Sequence, residues 1–210
     1  MFHMKQKRGK FHVKQNINFS KNLQKKLQMF ETLLKKWQKA VNLVSNNSLP
    51  CFWERHVLDS AQLFPLVPKT AETLVDLGSG GGFPGLVLAL MAQDAGLSLQ
   101  VHLVESDTRK CAFLQEVARQ LSVPVQIHNC RIEALSPLSA DVITARALSN
   151  LPTLLRISEP LWKNSTQGLF LKGARAQEEL ALLPKGWAFQ TFPSQTDPSG
   201  VIINIRKEDL

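Results

Sequence analysis

The sequence predicts an α/β fold, an open and mostly parallel sheet of seven strands with an antiparallel hairpin at one edge and a helical extension before it. Three observations support this prediction. Short β-type runs alternate with helical stretches after Pro68, which is the order of repeated βα units. The last two runs have no full helix between them. A stretch with helical period precedes the first strand.

The chain is predicted to begin with two helical segments after an arm. Residues 1–19 are basic and polar without a period, which predicts a flexible arm. Ser20 is a typical N-cap, and after it apolar residues recur three or four positions apart, at Leu23, Leu27, Phe30, Leu34, Trp37 and Val41. Residues 51–66 predict a second helical segment that ends near Pro65. We expect three parts: the arm 1–19, a helical segment 20–68 packed on the body, and a domain over 69–210.

The body is predicted from the alternation of its apolar runs. The expected strands are Thr73–Leu77, Val101–Glu105, Val125–His128, Asp141–Thr144, Leu169–Leu171, Trp187–Phe192 and Val201–Ile205. Helices are expected from Pro84, over Asp107–Leu121 and over Leu151–Ser158. The Pro/Ser/Gly-rich stretch Pro193–Gly200 is expected to turn the edge hairpin.

Charge is distributed unevenly along the 210 residues. Residues 1–50 hold 11 Lys and Arg against one acid, a balance of +10, whereas residues 51–210 hold 14 bases against 16 acids, a balance of −2. A basic section on a near-neutral body predicts a polyanionic partner, either nucleic acid or an anionic membrane surface. The longest apolar run, Phe83–Ala92, is about half of the ~18–20 residues that a membrane span needs, so we expect no membrane insertion.

The cysteines and histidines predict neither disulfides nor a metal centre. The three cysteines, Cys51, Cys111 and Cys130, are far apart and form no CxxC pair, which is typical of reduced thiols in a cytoplasmic protein. The five histidines show no ligand spacing. The N-terminus is basic but lacks the apolar stretch of a secretory signal.

The strongest motif is LVDLGSGGGFPG, residues 74–85. A strand leads to Asp76, and glycines that include Gly78 and Gly80 then form a tight turn before a helix. Glu105 ends the next predicted strand. At that position a carboxylate is expected to accept hydrogen bonds from the two hydroxyls of a ribose. The pattern predicts a nucleotide-like ligand at the carboxyl edge of the sheet.

Two ligands fit this turn, a nicotinamide dinucleotide and S-adenosylmethionine. Asp76 favours the second. An acid beside the glycine turn opposes a pyrophosphate, whereas S-adenosylmethionine has no phosphate and carries an ammonium and a sulfonium. We therefore expect Asp76 to lie near the methionine end of the donor.

S-adenosylmethionine is a methyl donor, and the kind of atom that accepts the methyl group is predicted from sequence signatures that the chain lacks. Exocyclic amines are commonly methylated beside an Asn/Asp-Pro-Pro-aromatic cluster, but the fourth strand ends in Thr144-Ala145-Arg146-Ala147. Carbon methylation of pyrimidines needs a nucleophilic cysteine, and neither Cys111 nor Cys130 is well placed. A ring nitrogen such as guanine N7 has an exposed lone pair and needs positioning more than a base.

Six motifs in order give the chain a resemblance to a known family. They are WQKAVNLVSN with RHVLDS, then DLGSGGGFPG, ESDTRKCAFL, CRIEAL, ITARAL and FLKG, from about Phe30 to Gly173. The chain resembles the glucose-inhibited division protein B family of bacterial methyltransferases. The resemblance implies a class I methyltransferase fold, S-adenosylmethionine as donor, and N7 of guanine 527 in the 530 loop of 16S ribosomal RNA as acceptor.

The resemblance also implies donor-binding residues where the motifs match. Gly78 and Phe83 match the family's donor-binding turn. Ile132 and Glu133 match its Val/Ile-Glu pair after the third strand, and Arg146 matches the Arg of its Ser/Ala-Arg-Ala element. Many members have Ser where this chain has Ala145, which leaves Arg146 in place. Arg146 is expected to orient the donor carboxylate or to contact RNA, and no general base is expected.

The remaining predictions concern the partner. Lys25, Lys35, Lys36 and Lys172 are candidate RNA contacts, and residues 55–60, RHVLDS, are expected to pack the N-terminal helices on the sheet. Three rival functions remain at this point: a small-molecule methyltransferase, a nicotinamide-dependent oxidoreductase and a non-enzymatic RNA-binding protein. The sequence does not determine the oligomeric state, for which a monomer is favoured, nor whether naked RNA or the small ribosomal subunit is the substrate.

Overall fold

The computed structural model describes residues 17–208, so the prediction of a flexible arm over residues 1–16 lies outside the described residues. The strands are β1 Thr73–Leu77, β2 Gln100–Glu105, β3 Val125–Asn129, β4 Ala140–Arg146, β5 Trp162–Lys172, β6 Trp187–Pro193 and β7 Val201–Lys207. The α-helices are α1 Lys21–Trp37, α2 Asp59–Ala61, α3 Gly85–Asp94, α4 Thr108–Leu121, α5 Leu151–Ile157 and α6 Ala176–Ala181.

The seven strands form one sheet in the order β3-β2-β1-β4-β5-β7-β6. Strands β1 to β5 are parallel to one another, whereas β7 is antiparallel to both β5 and β6. The predicted α/β fold with an antiparallel edge hairpin is therefore confirmed. The order reverses between β1 and β4, and in sheets of this kind ligands bind outside the carboxyl ends of the strands at such a point.

Two apolar layers cover the sheet. On one face, α1, α3 and α4 share a buried cluster with side chains of the sheet such as Leu74 and Leu103. On the other face, α5 and α6 pack on a second cluster with side chains such as Val75 and Ile143. The residues of α3 from Gly85 to Ala92 are all buried, because α3 lies between the sheet and α1.

Helix α1 runs alongside α3 in the opposite direction. Ser20 caps α1 by accepting the Leu23 N–H (3.0 Å) and also donates to Asp94 at the end of α3 (2.6 Å). Phe30, which is fully buried, reaches the start of α3 and stacks on Phe83 with 5.1 Å between the ring centroids. The early turns of α1 thus lie near the amino edge of the sheet and its last turns near the carboxyl edge.

The structure changes two details of the N-terminal predictions. Ile17 and Phe19, which the sequence assigns to the arm, are partly buried against the core. The predicted helix over 51–66 is a series of short turns: 3-10 turns over Leu49–Cys51 and Phe64–Leu66, a π-helix over Trp53–Leu58, and α2. The π-helix adds a residue to the helical turn and re-aims the side chains around it, a feature that is frequent at functional sites.

Candidate active site

Two cavities open at the carboxyl edge of the sheet. The larger, of about 1080 Å³, lies between the loop after α1, the π-helix and the loops that follow β4, β5 and β6. The smaller, of about 320 Å³, lies between the ends of β2 and β3. Their linings share one wall, formed by Gly78, Gly80, Arg146, Ala147 and Leu148. The two cavities are therefore adjacent along these five residues.

The smaller cavity collects most of the residues predicted to bind the donor. Gly78, Gly80, Glu105, Ile132, Glu133 and Arg146 all line it. They come from separate loops, since residues 132 and 133 lie in a 3-10 turn after β3 and residues 78 and 80 follow β1. Apolar side chains of Val104 and Ile157 complete the wall. This mixture of apolar surface and a few convergent polar groups is typical of a small-molecule site.

Glu105, the last residue of β2, is hydrogen-bonded to the glycine turn. One carboxylate oxygen accepts the Gly80 N–H (2.9 Å) and the other accepts the Asp107 N–H (2.8 Å). A carboxylate has about four lone-pair sites, so two remain for hydroxyl donors. Its place in the smaller cavity suits the predicted ribose contact, which stays a prediction.

Asp76 lies beneath the glycine turn and lines neither cavity. Its carboxylate is fully buried, accepts the Thr144 hydroxyl (2.7 Å) and accepts the Gly85 N–H (3.2 Å). Burial raises the pKa of Asp76 to about 6, although the hydrogen bonds from Thr144, Ser79 and Gly85 oppose the rise. The structure thus gives Asp76 the task of joining β1, β4 and the start of α3, and direct contact with the donor stays a prediction.

The start of α3 has few amide groups to offer a phosphate. Pro84 has no N–H, the Gly85 N–H is bound to Asp76, and the Leu86 N–H is bound to the carbonyl of Gly82 (2.9 Å). Dinucleotide sites instead use free amide groups at the helix start to bind a pyrophosphate. This arrangement favours a donor without phosphates over a nicotinamide dinucleotide.

Arg146 is held by a set of contacts that the sequence did not predict. Its guanidinium donates to the carbonyl of Arg55 (2.7 Å) and to Nδ1 of His56 (2.9 Å), and it forms an ion pair with Asp59 (3.4 Å). It also lies over the ring of Phe83, 5.1 Å from the centroid. Burial lowers the pKa of Arg146 and Asp59 opposes that effect, so the guanidinium remains charged.

His56 is a neutral hydrogen-bond acceptor for Arg146. Burial and the neighbouring guanidinium of Arg146 lower the pKa of His56 to about 4. With Nδ1 accepting from Arg146, the other nitrogen is placed to donate to the hydroxyl of Ser48, 3.1 Å away. The ring also stacks on Phe83 with 4.8 Å between centroids. Residues 55–60, RHVLDS, therefore contribute to the site as well as to packing. The contacts of Arg55, His56 and Asp59 with Arg146 show this role, which the sequence did not indicate.

Phe83 connects the active site with the N-terminal helix. It is 3% exposed, and it stacks on Phe30 of α1 as well as on His56. Although Phe83 lines the larger cavity, it contributes almost no exposed surface. The prediction that Phe83 binds the donor stays a prediction, and its observed contacts are those of a support for Arg146 and His56.

The four lysines predicted to contact RNA lie in three different settings. Lys172 is 9% exposed at its side chain; it donates to the carbonyl of Ser149 and pairs with Glu179 (2.8 Å), so it holds the loop after β4. Lys35 pairs with Glu31 (2.6 Å) but remains half exposed. Lys25 and Lys36 are exposed, and Lys36 is the nearer of these two to the cavities because it lies in the last turn of α1.

The three cysteines lie in different settings: Cys51 is exposed, Cys130 is half-buried and lines the smaller cavity, and Cys111 is buried. The buried thiol of Cys111 donates to the carbonyl of Glu105 (3.2 Å), and burial raises the pKa of Cys111 to about 11, which disfavours the thiolate that a nucleophile needs. No group of three or more metal-binding side chains occurs in the described part of the chain. None of the described helices is long and apolar enough to span a membrane.

Solved structures share the fold of this chain. A methyltransferase from Geobacter sulfurreducens has a TM-score of 0.58 at 11% identity, and the match covers 88% of this chain and 89% of that one. A mutant of MtNAS in complex with S-adenosylmethionine has a TM-score of 0.56 at 14% identity, over 90% of this chain and 73% of that one. The fold is that of class I methyltransferases, as the sequence predicts.

Sequence comparison places the chain in a family. It is 49% identical to the ribosomal RNA small subunit methyltransferase G of Parvibaculum lavamentivorans, over 90% of this chain and 85% of that protein. The GidB family model, described as rRNA small subunit methyltransferase G, matches residues 23–201. The resemblance predicted from the six motifs is thus confirmed, and this chain belongs to the rRNA small subunit methyltransferase G family.

Proposed function

We propose that this chain transfers the methyl group of S-adenosylmethionine to N7 of a guanine in the 530 loop of 16S ribosomal RNA. Membership of the family supports methyl transfer to RNA of the small ribosomal subunit. The observation that carries the proposal is that the two cavities share lining residues, because this places a smaller site suited to a donor beside a larger site suited to an acceptor. The proposal includes a monomeric enzyme that acts in the cytoplasm.

The smaller cavity suits the adenosine part of the donor. Val104, Ile132 and Ile157 offer apolar surface for a purine, and Glu105 offers lone pairs for ribose hydroxyls. Arg146 lies on the shared wall, where it can bind the carboxylate of the donor's methionine part. When bound, S-adenosylmethionine supplies an electrophilic methyl group on a sulfonium.

The proposed chemistry needs orientation and no proton transfer. N7 of guanine attacks the methyl carbon with its lone pair, the carbon–sulfur bond breaks, and the electron pair of that bond stays on sulfur. The products are S-adenosylhomocysteine and a 7-methylguanine that carries the positive charge formerly on sulfur. The residues of this chain bind both partners, hold the three reacting atoms in line and exclude water.

The site does not suit the other methyl acceptors as well. Methylation of pyrimidine carbon needs a thiolate beside the acceptor base, and no cysteine of the described residues lines the larger cavity. The thiol of Cys111 is buried, has a raised pKa and is bound to the carbonyl of Glu105, whereas Cys130 lines the smaller cavity. Methylation of an exocyclic amine needs a group that takes up a proton or a lone pair made available by hydrogen bonding. Arg146, at the end of β4 where such a group commonly lies, has no acceptor atom.

The test is methyl transfer from tritiated S-adenosylmethionine to small ribosomal subunits that lack the modification, followed by mapping of the labelled base. We expect the label on N7 of one guanine in 16S RNA. Arg146→Ala is expected to lower turnover at least about a hundredfold, because the variant lacks the guanidinium that would hold the carboxylate of the donor and orient its methyl group. Label on an exocyclic amine or a pyrimidine would overturn the acceptor assignment, and near-normal turnover of Arg146→Ala would remove that residue from the site.

Calorimetry separates the proposal from its rivals. We expect S-adenosylmethionine to bind to the purified protein and NAD not to bind, since the amide groups at the start of α3 are already hydrogen-bonded. Binding of NAD in preference to S-adenosylmethionine would support the oxidoreductase. Donor binding with methyl transfer only to small molecules would contradict the RNA substrate.

A further inference from the structure

Leu148 is an exposed leucine at the junction of the two cavities. Its side chain is 37% exposed, and it is one of four large apolar side chains in the described part of the chain with so much exposed surface. It lines both cavities, whereas Leu182, the other exposed leucine at this edge, lines only the larger. From the sequence alone, Leu148 has no expected role beyond its place in the ITARAL motif.

The backbone around Leu148 is fixed in an unusual conformation. Ala147 has φ +52°, in the left-handed region that residues other than glycine rarely adopt. Such conformations persist where the surroundings determine them, and they concentrate at functional sites. Arg146 is held by the π-helix on one side, and Ser149 is bound by Lys172 on the other. The short loop that carries Leu148 is thus held in place on both sides of the leucine.

Gly78 leaves the space that Leu148 fills. A Cβ at position 78 would lie 2.6 Å from Cδ1 of Leu148, which is far inside van der Waals contact, and Gly78 itself has φ +67°. The glycine turn therefore has a second task besides approach to the donor: it allows the leucine to rest against the turn. Cδ1, Cδ2 and Cγ of Leu148 all lie within 3.3 Å of that Cβ position, and the residue still keeps 37% of its surface exposed.

None of the described residues that line the larger cavity presents an exposed aromatic ring to a base. Its lining includes the rings of His56 and Phe83, which are 4% and 3% exposed and already stacked on one another. A purine that enters from RNA has two apolar faces and polar edges, and an apolar contact on one face would help to keep N7 in line. Leu148 is the large apolar side chain on the shared wall that can make this contact.

We propose that Leu148 is the acceptor-binding residue that supports the face of the target guanine beside the donor methyl group. This inference rests on the proposed function and adds the residue that orients the base. The guanine is inserted into the larger cavity with one face on the isobutyl group of Leu148. Arg146 holds the donor across the same wall.

The test compares Leu148→Ala, Leu148→Asn and Leu148→Met with Leu97→Ala as a matched control. Leu97 is 38% exposed and lines neither cavity, so its truncation removes the same chemical group at the same exposure. The readouts are the single-turnover rate at saturating ribosomal RNA substrate, the affinity for S-adenosylmethionine by calorimetry, and the melting temperature.

We expect Leu148→Ala and Leu148→Asn to lower the single-turnover rate about tenfold or more, because they remove the apolar support of the base. Leu148→Met, which keeps an apolar side chain of similar volume, is expected to stay within about threefold of the unmodified protein. Donor affinity and melting temperature should remain near the values of the Leu97→Ala control.

Three outcomes would overturn the inference. Wild-type rates in Leu148→Ala and Leu148→Asn would show that the base does not rest on this side chain. A loss of donor affinity in proportion to the rate would assign Leu148 to the donor. A rate in Leu148→Met as low as in Leu148→Asn would exclude an apolar contact. Failure of the unmodified protein to methylate ribosomal RNA would instead contradict the proposed function, so the two failures are distinguishable.

Discussion

Two buried ionisable residues next to the active site, Asp76 and His56, have pKa values displaced in opposite senses. Burial raises the pKa of Asp76 to about 6, whereas burial and Arg146 lower the pKa of His56 to about 4. Both shifts disfavour the charged form of the side chain, and both therefore make the stability of the protein depend on pH in the same window.

The two residues are expected to have opposite effects on stability between about pH 4 and pH 6. Native Asp76 binds its proton more tightly than the unfolded chain does, so its contribution to stability is present below about pH 4 and is lost as pH rises through 6. Unfolded His56 binds its proton more tightly than the native protein does. Its contribution is therefore present above about pH 6.5 and is lost as pH falls toward 4.

Single variants should reveal the two opposed effects. Relative to the unmodified protein, Asp76→Asn is expected to gain stability as pH rises from 4 to 6, by about 1–3 kcal/mol, and His56→Gln to lose stability over the same range. The measurement is the free energy of unfolding in urea at several pH values. Parallel pH curves for Asp76→Asn and the unmodified protein would contradict the raised pKa of Asp76.

At the scale of single residues, the sequence grouped the residues that line the smaller cavity better than it predicted the contacts beneath them. Glu105, Glu133 and Arg146 come together in the smaller cavity because each lies at or just after the end of a parallel strand, and the carboxyl ends of such strands meet at one edge. Asp76 and Lys172 also lie at strand ends, but their side chains turn inward to Thr144 and Ser149. The position of a residue at a strand end does not indicate whether its side chain reaches the ligand.

At the scale of elements, α1 supports the active site through the aromatic contacts of Phe30. Phe30 is on the buried face of α1 and stacks on Phe83, and Phe83 in turn contacts His56 and Arg146. The helical period of the sequence placed Phe30 on the buried face, because apolar residues every three or four positions form one stripe. Side-chain contacts thus run from α1 through Phe30 and Phe83 to Arg146.

Truncation of Phe30 should destabilise the whole protein. Phe30→Ala removes a fully buried ring and leaves a cavity between α1 and Phe83, so we expect a decrease of about 3–5 kcal/mol in the free energy of unfolding. Met29→Ala is the control, since Met29 is the adjacent residue of α1 and 47% exposed. We expect that control to stay within about 0.5 kcal/mol. Equal effects of the two substitutions would show that the stack contributes little.

The alternation of strands and helices was predictable, but the π-helix was not. Each strand is a short apolar run between polar turns, a pattern that is visible in one chain. The π-helix covers only six residues. Over so short a stretch, the spacing of apolar residues does not distinguish a π-helix from an α-helix. The contacts of RHVLDS with Arg146 follow from that local geometry, which explains why the sequence indicated packing alone.

At the scale of the whole molecule, the basic charge and the chemistry occupy different parts of the chain. Both cavities lie in the near-neutral body, apart from the loop residues 43–48 at the edge of the larger one. Residues 1–16 carry five Lys or Arg and no acid. Because Ile17 and Phe19 pack against the core, a truncation that tests the basic section should end at residue 16 and not at residue 19.

Deletion of residues 1–16 is expected to weaken RNA binding and to leave donor binding unchanged. The slope of log affinity against log salt should decrease in magnitude by about 0.7 for each phosphate group that the shortened protein no longer binds. The measurement is RNA binding at several salt concentrations, with donor affinity from calorimetry as the control. An unchanged slope would show that these bases do not bind phosphates, and a parallel decrease in donor affinity would contradict the separation of docking from chemistry.

The direction of α1 sets a minimum size for an RNA that uses both ends of the protein. The helix has 17 residues and a length of about 25 Å, and its first turn lies beside Asp94, away from the cavities. At about 3.4 Å per stacked nucleotide, that distance equals roughly seven nucleotides. A stacked RNA strand of fewer than about seven nucleotides is therefore too short to lie along the whole of α1, from Lys21 in its first turn to the cavities at the other end.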